Sequence, residues 1–222
     1  MVIGKIASKS KYHRAMSEYT SYERVKAALE HREPDKIPFD LGGTMVSGIN
    51  INALHALKKY LGLPGEAEIK DRVTQMASTG EDVIERLGVD IKNVSPRSSP
   101  QGMLKELGVR EGYIRIEDEW GMRWRMPVQN GHYYDLYYSP LRDATSISDI
   151  EKFSWPDALD TERYSGMRKE ANQIVFEEQK AYVLGRMSSG MWEHAMWMRG
   201  YEQFFMDMVT NEKLVHAIMN KI

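Results

Sequence analysis

The adjacent residues Glu193 and His194 are the pair of side chains in the sequence that most suggests chemistry. A carboxylate beside an imidazole can carry out acid–base catalysis or bind a metal ion through oxygen and nitrogen. The same two residues also suit the start of a helix, where an acidic side chain stabilises the helix dipole and a histidine bonds to a neighbouring carbonyl. Because successive residues on a helix point about 100° apart, both side chains cannot easily face one ligand. The sequence leaves both interpretations open.

Asp40 is a second candidate, since it directly precedes a segment with two glycines, Gly42 and Gly43, which must turn sharply. Its carboxylate either faces a ligand or caps the turn, and the sequence favours neither role. The glycines alone are weak evidence for a phosphate-binding loop, because neither a GxGxxG nor a GxxxxGKS/T pattern surrounds them.

The composition excludes several classes of function. The 222 residues carry 30 Lys and Arg against 32 Asp and Glu, a balance that lacks the basic excess of a dedicated nucleic-acid-binding protein. The sequence has no cysteine, which excludes disulfides, thiolate zinc sites, iron–sulfur clusters and cysteine nucleophiles within this chain. No run of 18 apolar residues occurs, and the first residues lack the apolar core of a secretory signal. We therefore expect a cytoplasmic protein.

Helices and short apolar strands alternate along the chain. Thr20 and Glu23 form a capping-box pattern at the start of the first helix, and residues 1–19 before it are predicted to be a flexible arm. A helix, a glycine, a short strand and a polar loop in succession are typical of βα units around a parallel sheet. The predicted strands are 37–41, 89–94 and 181–185. The predicted helices after the first are 54–61, 73–87, a short one at 147–153, 161–179, 191–209 and one that begins near Asn211.

Residues 107–145 break this rhythm. Two strand-like runs, 113–116 and 122–125, flank the turn at Glu119-Trp120-Gly121, and a third run covers 132–138. The pattern predicts an antiparallel β insertion. The tyrosine pairs of the third run either lie on the surface of a hairpin or belong to a lid.

Three stretches of the sequence resemble the uroporphyrinogen decarboxylase superfamily. Residues 22–38 are similar to its entry, an amphipathic helix followed by a P-D-x-I/V-P motif, here Pro34-Asp35-Lys36-Ile37-Pro38. Residues 118–121 and 141–144 resemble the cobalamin-dependent methyltransferase-like branch more than the decarboxylases. Residues 190–193 together with 198–200 and Asp207 are similar to the family's third strand-to-helix unit. The resemblance covers about residues 20–222.

The resemblance implies an α/β fold of the (β/α)₈ TIM-barrel type. Such barrels need roughly 250 residues, so we expect 20–222 to be the N-terminal part of a barrel, with the first three or so βα units and a β insertion at about 107–145. A partial barrel would expose a strand edge, which predicts either a homo-oligomer or a second chain that supplies the missing strands. Methyltransferases of this family bind zinc through a histidine and cysteines of later strands, so zinc is expected only in a longer parent protein.

In barrels of this kind, function lies in the loops after the strands. The predicted catalytic residues are Asp40, Glu193 and His194, and the predicted substrate-binding residues are Thr44, Arg97, Arg186, Ser189 and Trp192. The decarboxylases carry an arginine-rich motif after the first strand, where this sequence has Asp-Leu-Gly-Gly-Thr. The absence of these arginines argues against decarboxylation of a polycarboxylate.

The favoured function is methyl transfer between a small methylated molecule and a corrinoid, with methylcobalamin or a corrinoid protein as co-substrate or partner. A cluster rich in methionine and tryptophan either lines a pocket for the corrin face or an aryl methyl ether, or packs a core; its members are Met187, Met191, Trp192, Met196, Trp197 and Met198. The alternatives are uroporphyrinogen decarboxylation and a non-catalytic subunit that docks to a partner.

Overall fold

The computed structural model describes residues 19–97, 104–185 and 189–222, and it has a mixed α/β architecture. The described strands form three small sheets, none of which closes into a barrel. The α/β class is thus confirmed, and the (β/α)₈ barrel stays a prediction. The helices are α1 (Ser21–Leu29), α2 (Ile51–Leu61), α3 (Glu81–Leu87), α4 (Ile147–Lys152), α5 (Met167–Asn172), α6 (Met191–Arg199), α7 (Tyr201–Thr210) and α8 (Glu212–Met219). The strands are β1 (Ile69–Asp71), β2 (Met76–Ala77), β3 (Ile91–Val94), β4 (Lys105–Arg110), β5 (Tyr113–Glu117), β6 (Arg123–Pro127), β7 (Asp135–Tyr138) and β8 (Ala181–Leu184).

Helix α1 begins with the predicted capping box. The amide of Glu23 donates to Oγ1 of Thr20 at 3.2 Å, and the amide of Thr20 donates to the Glu23 carboxylate at 2.9 Å. Together the two bonds satisfy amides that the first turn leaves without helical partners. Of the predicted arm, residues 1–18 lie outside the described residues.

A buried charge network joins α1 to the start of β3. The Arg24 guanidinium bonds to Asp35 at 2.7 Å and to Asp90 at 2.6 Å, and the Arg24 and Asp90 side chains are almost completely buried. Asp90 also accepts the amide of Phe39 at 2.9 Å, and its own amide donates to the Phe39 carbonyl. The network places the predicted first strand beside β3. Residues 37–41 nevertheless do not form a strand, so that prediction was wrong: Pro38 has no amide, and the Phe39 amide is used by a carboxylate instead of a β ladder.

Strands β3 and β8 form a parallel pair, with Ile91 opposite Ala181 and Val94 opposite Leu184. This pairing confirms the strands predicted at 89–94 and 181–185. The helix predicted over 73–87 is shorter, because β1 and β2 form a hairpin before it and α3 begins at Glu81. Helix α3 ends at Gly88, whose φ of +66° is the left-handed conformation of a helix C-cap.

Strands β4 to β7 form an antiparallel sheet in chain order, as the pattern of residues 107–145 predicts. Ile114 faces Met126 and Ile116 faces Trp124 across β5 and β6, on the side that packs against the core. The alternate residues, Arg115 and Arg125 among them, point to the opposite face.

Two predicted long helices are interrupted by glycine. The helix expected over 161–179 is a 3₁₀ turn (Thr161–Tyr164), then α5, then a π-helical turn (Gln173–Glu177), and Gly166 has a φ of +82°. The helix expected over 191–209 bends at Gly200, with a φ of +88°, into α6 and α7. Since only glycine adopts such angles at little cost, the glycines divide the helices. The helix expected near Asn211 is confirmed as α8.

The largest apolar cluster, here called the aromatic core, lies between the antiparallel sheet and helices α4 and α6 to α8. Its buried members are Ile116, Met122, Trp124, Tyr134, Leu141, Ile150, Ala195, Met198, Phe204, Leu214, Val215 and Ile218. A smaller cluster under α2 and α3 comprises Ile51, Leu54, Ala77 and Val83. No helix in the described part of the chain has the length and apolar character needed to cross a membrane.

Candidate functional site

Asn93 connects the loops at the carboxyl end of the parallel strands. Its amide nitrogen donates to the Gly43 carbonyl at 2.9 Å, and its oxygen accepts from the Lys70 ammonium at 2.7 Å and from the Ser95 hydroxyl at 2.5 Å. Gly185, which follows β8, packs against the same side chains, and a Cβ atom there would lie 2.8 Å from the Cβ of Ser95. Segments that are distant in sequence therefore meet at one polar point, which we call the carboxyl-edge site.

Lys70 supplies the cation of the carboxyl-edge site. Desolvation lowers the pKa of its ammonium, although the residue as a whole is exposed, and the carboxylates of Glu170 and Asp40 oppose this shift. Asp40 and Glu170 therefore lie near enough to the Lys70 ammonium for their charges to act on it. Lys70 was missed at the sequence level because it lies in a three-residue strand, β1, too short to give a periodic signal.

A cavity of about 390 Å³ opens beside Asn93 and Lys70. Both signs of charge line it, since Lys92 lies there between Glu81 and Glu178, at 2.5 Å from each carboxylate. The lining residues are Leu41, Gly42, Lys70, Ser78, Thr79, Glu81, Ile84, Ile91, Lys92, Asn93, Glu170, Gln173, Ile174 and Glu178. The Thr79 hydroxyl is buried in this lining without a hydrogen-bond partner among the described residues. Cavities of this size accept small polar molecules.

Asp40 and Thr44, two of the predicted site residues, shape the loop next to this cavity. The Asp40 carboxylate accepts the Gly43 amide at 2.9 Å, so it caps the turn, which is one of the two roles left open by the sequence. Thr44 and Ser47 bond to each other through their hydroxyls at 3.0 Å and through their amides. Arg97 is exposed beyond β3, and its amide donates to the Arg163 carbonyl at 2.9 Å.

The remaining predicted site residues lie around the start of α6. Glu193 is exposed, whereas His194 is 3% exposed, so the two side chains point in different directions as the helical geometry predicts. Trp192 packs edge-on against Phe204, with ring centroids 5.3 Å apart. Ser189 has a buried hydroxyl without a partner in the described part of the chain, and Arg186 lies outside the described residues.

His194 is held by aromatic rings. Its imidazole lies 4.1 Å from the Trp120 ring and 6.2 Å from the Trp197 ring, centroid to centroid. Burial lowers the pKa of this imidazole to about 4, and neither ring nitrogen has a hydrogen-bond partner among the described residues. The histidine is therefore neutral at pH 7. Of the predicted cluster of methionines and tryptophans, Met198 belongs to the buried aromatic core, Met196 and Trp197 pack against that core, and Met187 lies outside the described residues.

Asp118 is a perturbed carboxyl group that the residue patterns alone did not single out. Burial raises its pKa to about 6, although the indole of Trp124 and the amides of Met122 and Trp120 donate hydrogen bonds to it. The neighbouring Glu119 pairs with the buried Arg163 at 2.5 Å. The only available signal was the Asp-Glu-Trp-Gly turn, which the resemblance had marked without assigning a role.

The structure thus brings Asp40 close to Lys70 and Asn93, and it places Glu193, His194, Trp192 and Ser189 on a different element. Within residues 19–97, 104–185 and 189–222, no group of three or more His, Cys, Asp or Glu side chains could hold a metal ion. The described residues therefore do not fit a zinc centre. The carboxyl-edge site instead offers an ammonium, an amide and carboxylates around a small cavity.

Comparison with protein-family models, curated proteins and solved structures finds no match to this chain.

Proposed function

We propose that the chain binds a small methylated molecule at the carboxyl-edge site and takes part in corrinoid-linked methyl transfer to or from it. The observation that carries the binding proposal is the convergence of Gly43, Lys70 and Ser95 on Asn93. Ligands of open parallel α/β sheets bind outside the carboxyl ends of the strands, where this convergence lies. The choice of methyl transfer rests on the resemblance of residues 118–121 and 141–144 to the methyltransferase-like branch.

The size of the cavity supports a small ligand. Its volume of about 390 Å³ lies at the lower end of the range for small-molecule sites. A corrin ring with its side chains is too large for this space, so no cavity residue is assigned to hold it. The corrinoid is expected as an external co-substrate that approaches the small molecule from outside.

Lys70 is proposed to stabilise the charge that methyl transfer creates. If a methyl group passed from a heteroatom of the small molecule to a reduced corrinoid co-substrate, the heteroatom would keep the bonding electron pair and become more negative. In the reverse direction, the same heteroatom would attack the methyl group of methylcobalamin as an anion, so an ammonium beside it would serve both directions. An ammonium at hydrogen-bond distance stabilises this charge and can deliver a proton, and a lowered pKa makes that delivery easier. Asn93 keeps Lys70 in place through the 2.7 Å hydrogen bond. Asp40, Glu193 and His194 as catalytic residues stay predictions.

Loss of methylcobalamin absorbance tests the proposal directly. The protein is mixed with methylcobalamin and, in turn, a phenol, an aliphatic thiol and an aromatic thiol as acceptors, because their anions are the species that the Lys70 ammonium would stabilise. We expect the wild type to accelerate the loss with at least one acceptor, and Lys70→Met to slow it by about 100-fold. Lys59→Met, which changes an exposed lysine on α2, is the matched control and should keep the wild-type rate. Absence of acceleration with all three acceptors would contradict the proposal.

Decarboxylation of uroporphyrinogen is the less favoured alternative. The cavity is lined by three carboxylates, those of Glu81, Glu170 and Glu178, against the ammonium groups of Lys70 and Lys92, so it lacks the excess of positive charge that a polycarboxylate needs. Release of carbon dioxide from uroporphyrinogen by the wild type would reverse this ranking.

A docking role is a second candidate, favoured by the outer edge of β8. Within the described residues β8 pairs only with β3. Leu184 of β8 and Phe176 of the π-helical turn, an element that contacts β8, are 63% and 72% exposed. An unpaired edge beside apolar side chains is a template for another strand. Light scattering tests this role: a discrete dimer or a stoichiometric complex supports it, and a monomer at all concentrations contradicts it.

A further inference from the structure

The outer face of the antiparallel sheet carries interleaved arginine and tyrosine side chains. We call it the arginine–tyrosine face, and it comprises Tyr113, Arg115, Arg123, Arg125, Tyr137 and Tyr138. The Arg125 guanidinium lies over the rings of Tyr113 and Tyr137, at 4.7 and 5.7 Å from their centroids. Arg115 lies over the same Tyr137 ring at 5.3 Å. Two cations thus share one aromatic ring.

Neighbouring rows of the β5–β6 ladder differ in their charges. Glu117 lies opposite Arg123, and the two side chains form an ion pair at 2.7 Å. One row further, Arg115 lies directly opposite Arg125. Like charges directly opposite each other destabilise a sheet. A bound anion would remove this repulsion.

The two opposed arginines are incompletely neutralised by the protein. Arg115 bonds to Glu111 at 2.7 Å, but the Glu111 side chain is 66% exposed, and the buried Nε of Arg115 has no acceptor among the described residues. Arg125 has no ion pair in the described part of the chain. Asp135 lies opposite Arg125 on β7, but the two side chains are not within ion-pair distance.

We propose that Arg115 and Arg125, with Tyr113 and Tyr137 beside them, form a binding site for the phosphate group of a small phosphorylated molecule. Guanidinium groups bind phosphate in a bidentate manner, and a phosphate monoester carries roughly two negative charges at pH 7, which match two cations. The site shares no residue with the carboxyl-edge site, so the proposal is independent of methyl transfer. Two local carboxylates oppose binding: Asp135, opposite Arg125 in the ladder, and Glu111, which is paired with Arg115.

Calorimetric titration with inorganic phosphate and with AMP tests the site, each at low and at moderate salt. We expect both to bind to the wild type, and Arg125→Gln to weaken binding at least about tenfold. Arg123→Gln is the matched control, since it changes an arginine of the same strand that already has a carboxylate partner, and it should change affinity by less than about twofold. If AMP binds more tightly than phosphate, the ligand is a nucleotide. If both bind equally, the phosphate group alone accounts for binding.

Asp135→Asn provides a test that misfolding cannot imitate. Removal of this carboxylate should strengthen phosphate binding by about threefold or more, because a repulsive charge is lost. Equal weakening by Arg123→Gln and Arg125→Gln, no gain with Asp135→Asn, or no heat of binding in the wild type would overturn the proposal.

Discussion

The carboxyl-edge site and the aromatic core are built from different interactions. At the carboxyl-edge site, Asn93 bonds to the Gly43 carbonyl, the Lys70 ammonium and the Ser95 hydroxyl, and the smaller apolar cluster under α2 and α3 has only four buried members. The aromatic core has twelve buried members, and its buried ion pair, Arg199 with Asp207 at 2.6 Å, joins α6 to α7. Apolar burial is the main stabilising term in folding, whereas convergent polar groups beside a cavity provide binding. We therefore expect stability to come mainly from the aromatic core, and ligand binding is proposed for the carboxyl-edge site.

The largest expected effect is a difference between two matched leucines. Leu214 in the aromatic core and Leu54 in the small cluster are both 1% exposed. Leu214→Ala should reduce the free energy of unfolding by about 4–5 kcal/mol and Leu54→Ala by about 2–3 kcal/mol, because the small cluster can relax around a cavity more easily. Denaturant unfolding measures both values. An equal loss, or a larger one at Leu54, would show that the aromatic core does not contribute more to stability than the small cluster.

The buried charge network of α1 should make the parallel strands sensitive to one substitution. Arg24→Met leaves the buried Asp90 without its cation, at a cost of about 3–5 kcal/mol. Arg123→Met, which breaks an ion pair on a half-exposed arginine, should cost less than about 1 kcal/mol. Thermal unfolding measures the loss of stability in both variants. Similar losses would show that the buried charge network does not stabilise the parallel strands.

Asp118 should make the aromatic core less stable as the pH rises. Its folded pKa of about 6 lies above its ordinary value of 3.8, so the folded protein binds more protons between these values and loses stability from pH 4 to pH 6. The size of this loss is on the order of 2 kcal/mol. Asp118→Asn should remove that contribution from the slope of unfolding free energy against pH. An unchanged slope would mean that the carboxyl group is not desolvated.

His194 should act in the opposite direction. Its folded pKa of about 4 lies below its ordinary value of 6.5, so the unfolded protein binds more protons and stability falls as the pH drops from 6.5 to 4. His194→Phe keeps a ring against Trp120 and removes the titrating group, so the variant should resist acid better than the wild type. The gain in melting temperature of His194→Phe over the wild type should be larger at pH 5 than at pH 7, and an equal gain at both pH values would argue against a buried neutral imidazole.

The smallest expected effect on stability is at Lys70. Because this residue is exposed, Lys70→Met should change the free energy of unfolding by no more than about 0.5 kcal/mol, even though the proposed function depends on it. Denaturant unfolding of Lys70→Met beside Lys59→Met measures this. A loss of several kcal/mol at Lys70 alone would show that the lysine is a structural residue.

Local patterns were readable in the sequence, and distant polar contacts were not. The capping box of Thr20 and Glu23 spans three residues, and the antiparallel strands alternate clearly enough to be predicted. The bond between Arg24 and Asp90 spans 66 residues, and that between Lys70 and Asn93 spans 23. Charged residues at such separations carry no periodic signal, so their pairing appears only in the fold. The predicted strand at 37–41 was wrong for a related reason. The Phe39 amide donates to the carboxylate of Asp90, which is distant in sequence, instead of to a neighbouring strand.

The most direct test of the account compares methylcobalamin consumption by the wild type, Asn93→Ala and Asn52→Ala with the acceptor that the wild type uses. Asn93 organises the carboxyl-edge site, and Asn52 is an exposed asparagine on α2. We expect Asn93→Ala to slow the accelerated reaction about 100-fold and Asn52→Ala to keep the wild-type rate. Full activity of a folded Asn93→Ala variant would contradict the account, because the chemistry would then lie elsewhere in the molecule.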